Sequence, residues 1–182
     1  MKTLDGDNPG AIVIGDHVQG LGIVRSLGRH GIPTFLMNDR SLCIGRFSKY
    51  VSKFHLCPPI EQETQFIESL INLAENTEDI ENWVLFPTND AAVRNISFNK
   101  TTLEKYYTVP SPPWEVIRCT YNKIITNQIA ERCGIPIPTT YYPKDEEEVS
   151  ALSKELEYPV IIKPAVMHTF YTKTKAKVIV VS

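Results

Sequence analysis

The sequence predicts an α/β fold built on a parallel sheet. Three observations predict it. Strand-sized apolar runs recur without polar alternation, at Ala11-Ile12-Val13-Ile14, Phe35-Leu36-Met37 and Trp83-Val84-Leu85-Phe86. A continuous run of that length suits a strand covered on both faces. Segments with helical apolar spacing separate these runs, and glycine or proline marks most of the joins.

Residues 1–10 are polar, rich in Gly, Asp and Asn, and read as a loose leader. The run from Ala11 to Gly15 is the first strand. Ile23, Val24 and Leu27 then give a helix, with Gly31 placed to cap its C-terminus ahead of Pro33. Residues 34–37 form the second strand, and residues 41–53 a basic connection carrying Arg46 and Lys49 beside Phe47 and Tyr50. That connection suits an anionic substrate, or simply a solvated loop. Residues 54–56 read as a third strand, 62–73 as an amphipathic helix and 83–86 as a fourth strand. A helix and its exit follow over 91–105, then a short fifth strand at 107–110.

The run Val109-Pro110-Ser111-Pro112-Pro113 stops helix and sheet alike, which places a domain edge near residue 113. The chain thus divides into residues 1–113 and 114–182. In the second part, residues 114–133 form one helix, or two joined near Thr120-Tyr121-Asn122, ended by Gly134. Residues 139–142 read as a strand, 145–156 as a helix, and 158–163 and 178–181 as two further strands. Glu146, Glu147 and Glu148 stand where the helix macrodipole favours carboxylates, so their grouping needs no metal.

Composition narrows the function. Nineteen Lys and Arg against 21 Asp and Glu leave a formal charge of −2, with no broad footprint for nucleic acid. The apolar runs are far short of a membrane span, and no apolar leader follows the N-terminus, so a cytoplasmic setting is expected. Four cysteines and four histidines are scattered without metal-ligand spacing, and no metal site is assigned.

Two places carry candidate chemistry. Thr88-Asn89-Asp90 follow the fourth strand, where ligands sit in open parallel sheets; they can bind substrate, and Asn89 or Asp90 can equally cap the next helix. Lys123 and Lys163 lie about 40 residues apart, the first opening a helix and the second ending an apolar strand. Ammonium groups so placed suit the phosphates of a nucleotide, although a lysine at a strand end is also an ordinary solvated residue. The spacing Gly15-x-x-x-x-Gly20-x-Gly22, with Asp39 after the second strand, invites an NAD reading. It departs from Gly-x-Gly-x-x-Gly, and such glycines also serve close helix packing.

The series Asn122-Lys123, a helix, Gly134-Ile135-Pro136-Ile137-Pro138, a second helix and Tyr158-Pro159-Val160-Ile161-Ile162-Lys163-Pro164 resembles the opening of an ATP-grasp domain. Within that superfamily it is most similar to carboxylate–amine ligases related to D-aspartate ligase and to the large subunit of carbamoyl phosphate synthetase. The resemblance covers residue 11 onward and is most specific over 121–164. It implies a Rossmann-like pre-ATP-grasp domain at 1–113. A linking helix and a truncated first α+β lobe of the ATP-grasp domain would follow at 114–182. It also implies ATP and Mg2+ as cofactors, a small carboxylate as partner substrate, and Lys123 and Lys163 on the ATP phosphates. Asn122 departs from the family's usual aspartate. The run 165–175 lacks the glycines many relatives place in the phosphate lid; His168, Lys173 and Lys175 can supply charge there instead, or simply form a solvated basic hairpin. By the same resemblance the magnesium ligands fall beyond residue 182. The chain is therefore expected to be an amino-terminal fragment, inactive alone, whose strand edge at 178–181 offers a route to homo-oligomers. The alternatives are a non-catalytic nucleotide- or ligand-binding module and an NAD-binding domain.

Overall fold

The computed structural model describes residues 9–15, 17–166, 176 and 178–182. It separates into two compact units, Met1–Ile117 and Arg118–Ser182, where the sequence places the edge at 113. The first unit holds a four-stranded parallel sheet in the order β3-β2-β1-β4. The strands are β1 (Ala11–Ile14), β2 (Thr34–Asn38), β3 (Lys53–Leu56) and β4 (Val84–Pro87). Ile12 pairs with Phe35 on one side and with Leu85 on the other, so β1 is central. Each of its four side chains is at most 1% exposed, as an uninterrupted apolar run requires.

Alternate residues of β1 serve opposite faces. Ile12 and Ile14 pack with Phe66, Leu70, Leu85, Ile96 and Tyr107. That layer draws on α2 (Glu63–Glu75), α3 (Asp90–Phe98) and α4 (Lys100–Leu103). Ala11 and Val13 pack on the other face with Val24, Leu36 and Cys43, supported by Ile23, Leu27, Tyr50 and Phe54. Val24 and its neighbours lie on α1 (Val18–Arg29), and a short 3-10 turn at Gly45–Phe47 interrupts the crossover from β2 to β3. The α1 helix ends as its glycine predicts. Gly31 has φ +77°, its N–H donates to the Gly28 carbonyl, and the Ile32 N–H donates to the Leu27 carbonyl.

The strand expected at 107–110 is reduced to a single parallel bridge between Thr108 and Val84. Pro110, Pro112 and Pro113 have no N–H to extend the ladder. The helix expected over 91–105 is split at Asn99 into α3 and α4.

The second unit contains α5's end (the helix runs Trp114–Tyr121), α6 (Lys123–Arg132), α7 (Glu146–Leu152), β5 (Val160–Ile162) and β6 (Ile179–Val181). The two-helix alternative for 114–133 is the one adopted. β5 and β6 pair antiparallel, with Ile161 opposite Val180. The strand expected at 139–142 is absent: these residues are exposed, lie between Pro138 and Pro143, and have no ladder partner. Among the described residues of 118–182, none is buried. His168, Lys173 and Lys175, the charges expected in the phosphate lid, lie outside the described residues, as does most of the leader. No helix among the described residues is long and apolar enough to cross a membrane.

Two predictions follow from this packing. A Cβ on Gly20 would stand 2.0 Å from the Gly15 carbonyl oxygen, whereas one on Gly22 would meet nothing within 4 Å. Gly20→Ala is expected to cost about 1–3 kcal/mol through overpacking. Gly22→Ala, in the same helix, is expected to add about 0.5–1 kcal/mol by helix propensity. Urea unfolding of the two variants checks both signs. Next, the buried His55 Nε2 has no hydrogen-bond partner. Burial first, and the Lys53 ammonium second, hold the His55 pKa below its ordinary 6.5. The folded chain keeps this ring neutral while the unfolded chain protonates it, so its contribution is present above about pH 6.5 and is lost as pH falls below it. His55→Phe, which retains a ring against Phe35, is expected to flatten the fall in urea midpoint between pH 7.5 and pH 5.

Candidate functional site

The residues singled out by sequence fall into two groups, one in each unit. In the first unit, the carboxyl ends of three strands meet at Gly15. Its N–H donates to the Met37 carbonyl at 2.9 Å, and the Thr88 N–H donates to the Ile14 carbonyl at 3.1 Å. The Thr88 hydroxyl donates to the same carbonyl at 2.8 Å. Gly15 has φ +95°, and a Cβ there would stand 2.4 Å from Thr88 Oγ1. Glycine is therefore required twice at this position, by conformation and by the approach of Thr88.

Asn89 caps α3, with Oδ1 accepting from the Ala92 N–H at 2.9 Å. This spends its carbonyl and leaves its Nδ2 amide hydrogens on the side nearest Gly15, where a Cβ would stand 3.4 Å from Nδ2. Asp90 follows in the first turn of α3 with an exposed carboxylate. The structure thus gathers Thr88 and Asn89 against Gly15. Gly15, read from the sequence only as part of a glycine spacing for NAD or helix packing, is the wall of this cluster.

The basic connection is organised mostly by its own rings. Arg46 lies 4.7 Å from the centroid of Phe54 and donates to the Ser41 carbonyl at 2.8 Å, while Lys49 lies 5.2 Å from the centroid of Tyr50. Cys57 closes β3, its thiol pushed up to about 12 by burial and, to a lesser degree, by Asp39. It is therefore protonated and a poor nucleophile at neutral pH.

In the second unit the two lysine-bearing segments are joined directly. The Lys123 N–H donates to the Ala165 carbonyl at 3.0 Å, two residues beyond Lys163. Asn122 is the N-cap of α6, its Oδ1 accepting from Ile124 at 2.9 Å and from Ile125 at 3.5 Å. The Thr126 N–H returns to the Asn122 carbonyl at 2.9 Å. All four leading amides of α6 are therefore occupied. This helix start offers an anion no backbone donors, and a phosphate here could be met only by side chains. Lys163 is exposed and Lys123 partly so. Among the described residues no group of three or more His, Cys, Asp or Glu could hold a metal ion.

No protein-family model matches the chain. It is 38% identical over 77 residues to the alpha-aminoadipate–LysW ligase LysX of Saccharolobus solfataricus, covering 39% of this chain and 28% of that protein. It is 30% identical over 130 residues to the biotin carboxylase of Pseudomonas aeruginosa, covering 70% and 26%. Among solved structures it resembles N5-carboxyaminoimidazole ribonucleotide synthetase in its ADP complex. That match has a TM-score of 0.68 at 16% identity, and covers 96% of this chain and 41% of that one. The chain therefore spans well under half the length of each of these proteins. The resemblance to the ATP-grasp superfamily agrees with both kinds of likeness, and the chain has the fold of the amino-terminal part of such proteins.

Proposed function

We propose that this chain is part of a cytoplasmic, ADP-forming ligase that joins a carboxylate to an amine through an acylphosphate, and that it supplies two of the lysines on the ATP phosphates. The observation that carries this reading is the hydrogen bond from the Lys123 amide to the Ala165 carbonyl. It ties the start of α6 to the segment after β5, holding two separate cationic residues on adjoining pieces of backbone. Because the leading amides of α6 are already satisfied, Lys123 would act through its ammonium group alone, as would Lys163. Transfer of a phosphoryl group asks chiefly for positioning and charge neutralisation, which such side chains provide.

In the first unit, the Nδ2 hydrogens of Asn89, which meet no partner among the described residues, suit the oxygens of a carboxylate substrate, and the exposed Asp90 suits an ammonium group. Magnesium, which would balance the charge of the phosphates, finds no ligand cluster among the described residues, so no role is built on it here. The chain by itself is not expected to turn over.

The test is a titration of the 15N-labelled chain with ATP and with NADH. ATP is expected to shift amides over 122–126 and 160–166. Lys163→Ala should weaken that response about threefold to fivefold, the size of a partly solvated charge pair. Saturable shifts with NADH and none with ATP would discard the ligase reading. Asn122 supplies a further expectation. Asn122→Ala removes the cap and should cost about 1 kcal/mol in the second unit, with faster hydrogen exchange at Ile124 and Ile125, while Asn122→Asp should retain protection.

A further inference from the structure

The crossover from β2 to β3 lies over α1 and leaves a groove of about 320 Å3, lined by Leu21, Arg25, Ile44, Phe47, Ser48, Lys49 and Tyr50. We propose that this groove binds a small organic anion with an aromatic or aliphatic body and a carboxylate or phosphate head, at a site separate from the strand-end cluster. None of its lining residues belongs to the turns at Gly15 or Thr88-Asn89-Asp90.

Two properties choose the ligand. The first is charge. Residues 17–56 contain six Lys or Arg against one acid, Asp39, an excess of five positive charges within a chain of net −2. Two of those cations, Arg25 and Lys49, line the groove, and among the described residues no carboxylate lines it. Arg46 is turned away onto Phe54 and the Ser41 carbonyl, so the local cations are sorted into one that braces the crossover and two that face the groove. The second is the apolar wall. Ile44 and Phe47 are 66% and 72% exposed, and they stand beside Leu21 and the Tyr50 ring that carries Lys49. An apolar wall with two cations and, among the described residues, no acid matches a ligand that is itself divided into an apolar body and an anionic head. The volume sits near the lower end of the range for small-molecule sites, about 300–1,000 Å3, and so favours a compact ligand.

The experiment titrates the 15N-labelled chain with phenyl phosphate and phenylacetate, and in parallel with inorganic phosphate and benzyl alcohol. Both aromatic anions are expected to give saturable shifts confined to residues 21–25 and 44–50. The separate head and body are expected to give none at equal concentration. Arg25→Gln combined with Lys49→Gln should weaken binding at least fivefold, Phe47→Ser should also weaken it, and Arg29→Gln should leave it unchanged. Circular dichroism melts confirm that the variants fold. An equal response to benzyl alcohol would mean a plain apolar patch, and an equal response to inorganic phosphate an unselective basic face. Shifts at these residues that track protein concentration without ligand would assign the face to a second copy. Each of those outcomes, or no saturable shift at all, overturns the proposal.

Discussion

The first unit depends on one strand being buried on every side. β1 is laddered to β2 and β4, and its alternate side chains enter the two opposing core layers. Its end then fixes the chemistry around it. The Ile14 carbonyl accepts from both the amide and the hydroxyl of Thr88, so the terminus of β4 is held to that of β1 by two hydrogen bonds. Gly20 can approach the Gly15 carbonyl only because it lacks a side chain, and α1 is seated by that approach. The strand-end turn is thus a packed junction first, and any ligand there would meet groups whose positions the core has already set.

The second unit is held differently. None of its described residues is buried, and its helices are stabilised by local devices. Asn122 caps α6 at one end, Gly134 with φ +68° closes the other, and Asp145 caps α7 by accepting from the Glu148 amide. Ile161 and Val180 face each other across the β5–β6 ladder and remain 59% and 63% exposed. A two-stranded ladder with apolar residues in water draws little stability from burial. The hydrogen bond from the Lys123 N–H to the Ala165 carbonyl therefore has a large share in placing the lysine segments.

Much of this architecture was legible in the residues. The apolar runs at 11–14, 34–37 and 83–86 announced a parallel sheet, and Gly31 and Gly134 announced two helix ends. Asn89 was legible as one of two candidate caps for the helix after the fourth strand, whereas the cap at Asn122 was seen only in the structure. The misreadings share a cause. Residues 107–110 and 139–142 have strand-like composition, but a strand exists only where a neighbour supplies a ladder, and the flanking prolines remove the donors one would need. The split of 91–105 at Asn99 likewise turned on how the chain leaves the core, which Leu103 and Tyr107 decide by burial.

The sequence by itself determined the class of fold, most of the buried strands and the likeness to ATP-grasp proteins, because apolar spacing and the lysine-bearing motifs are local properties. The tertiary structure alone decided which donors were already spent. Hydrogen bonds between residues far apart in the chain occupy the Lys123 amide and the hydroxyl of Thr88, while among the described residues the Asn89 amide hydrogens meet no partner. It alone also decided that Arg25 and Lys49 line one groove while Arg46 turns away. A side chain's type states what it can bind, and only its neighbours in space state what remains available.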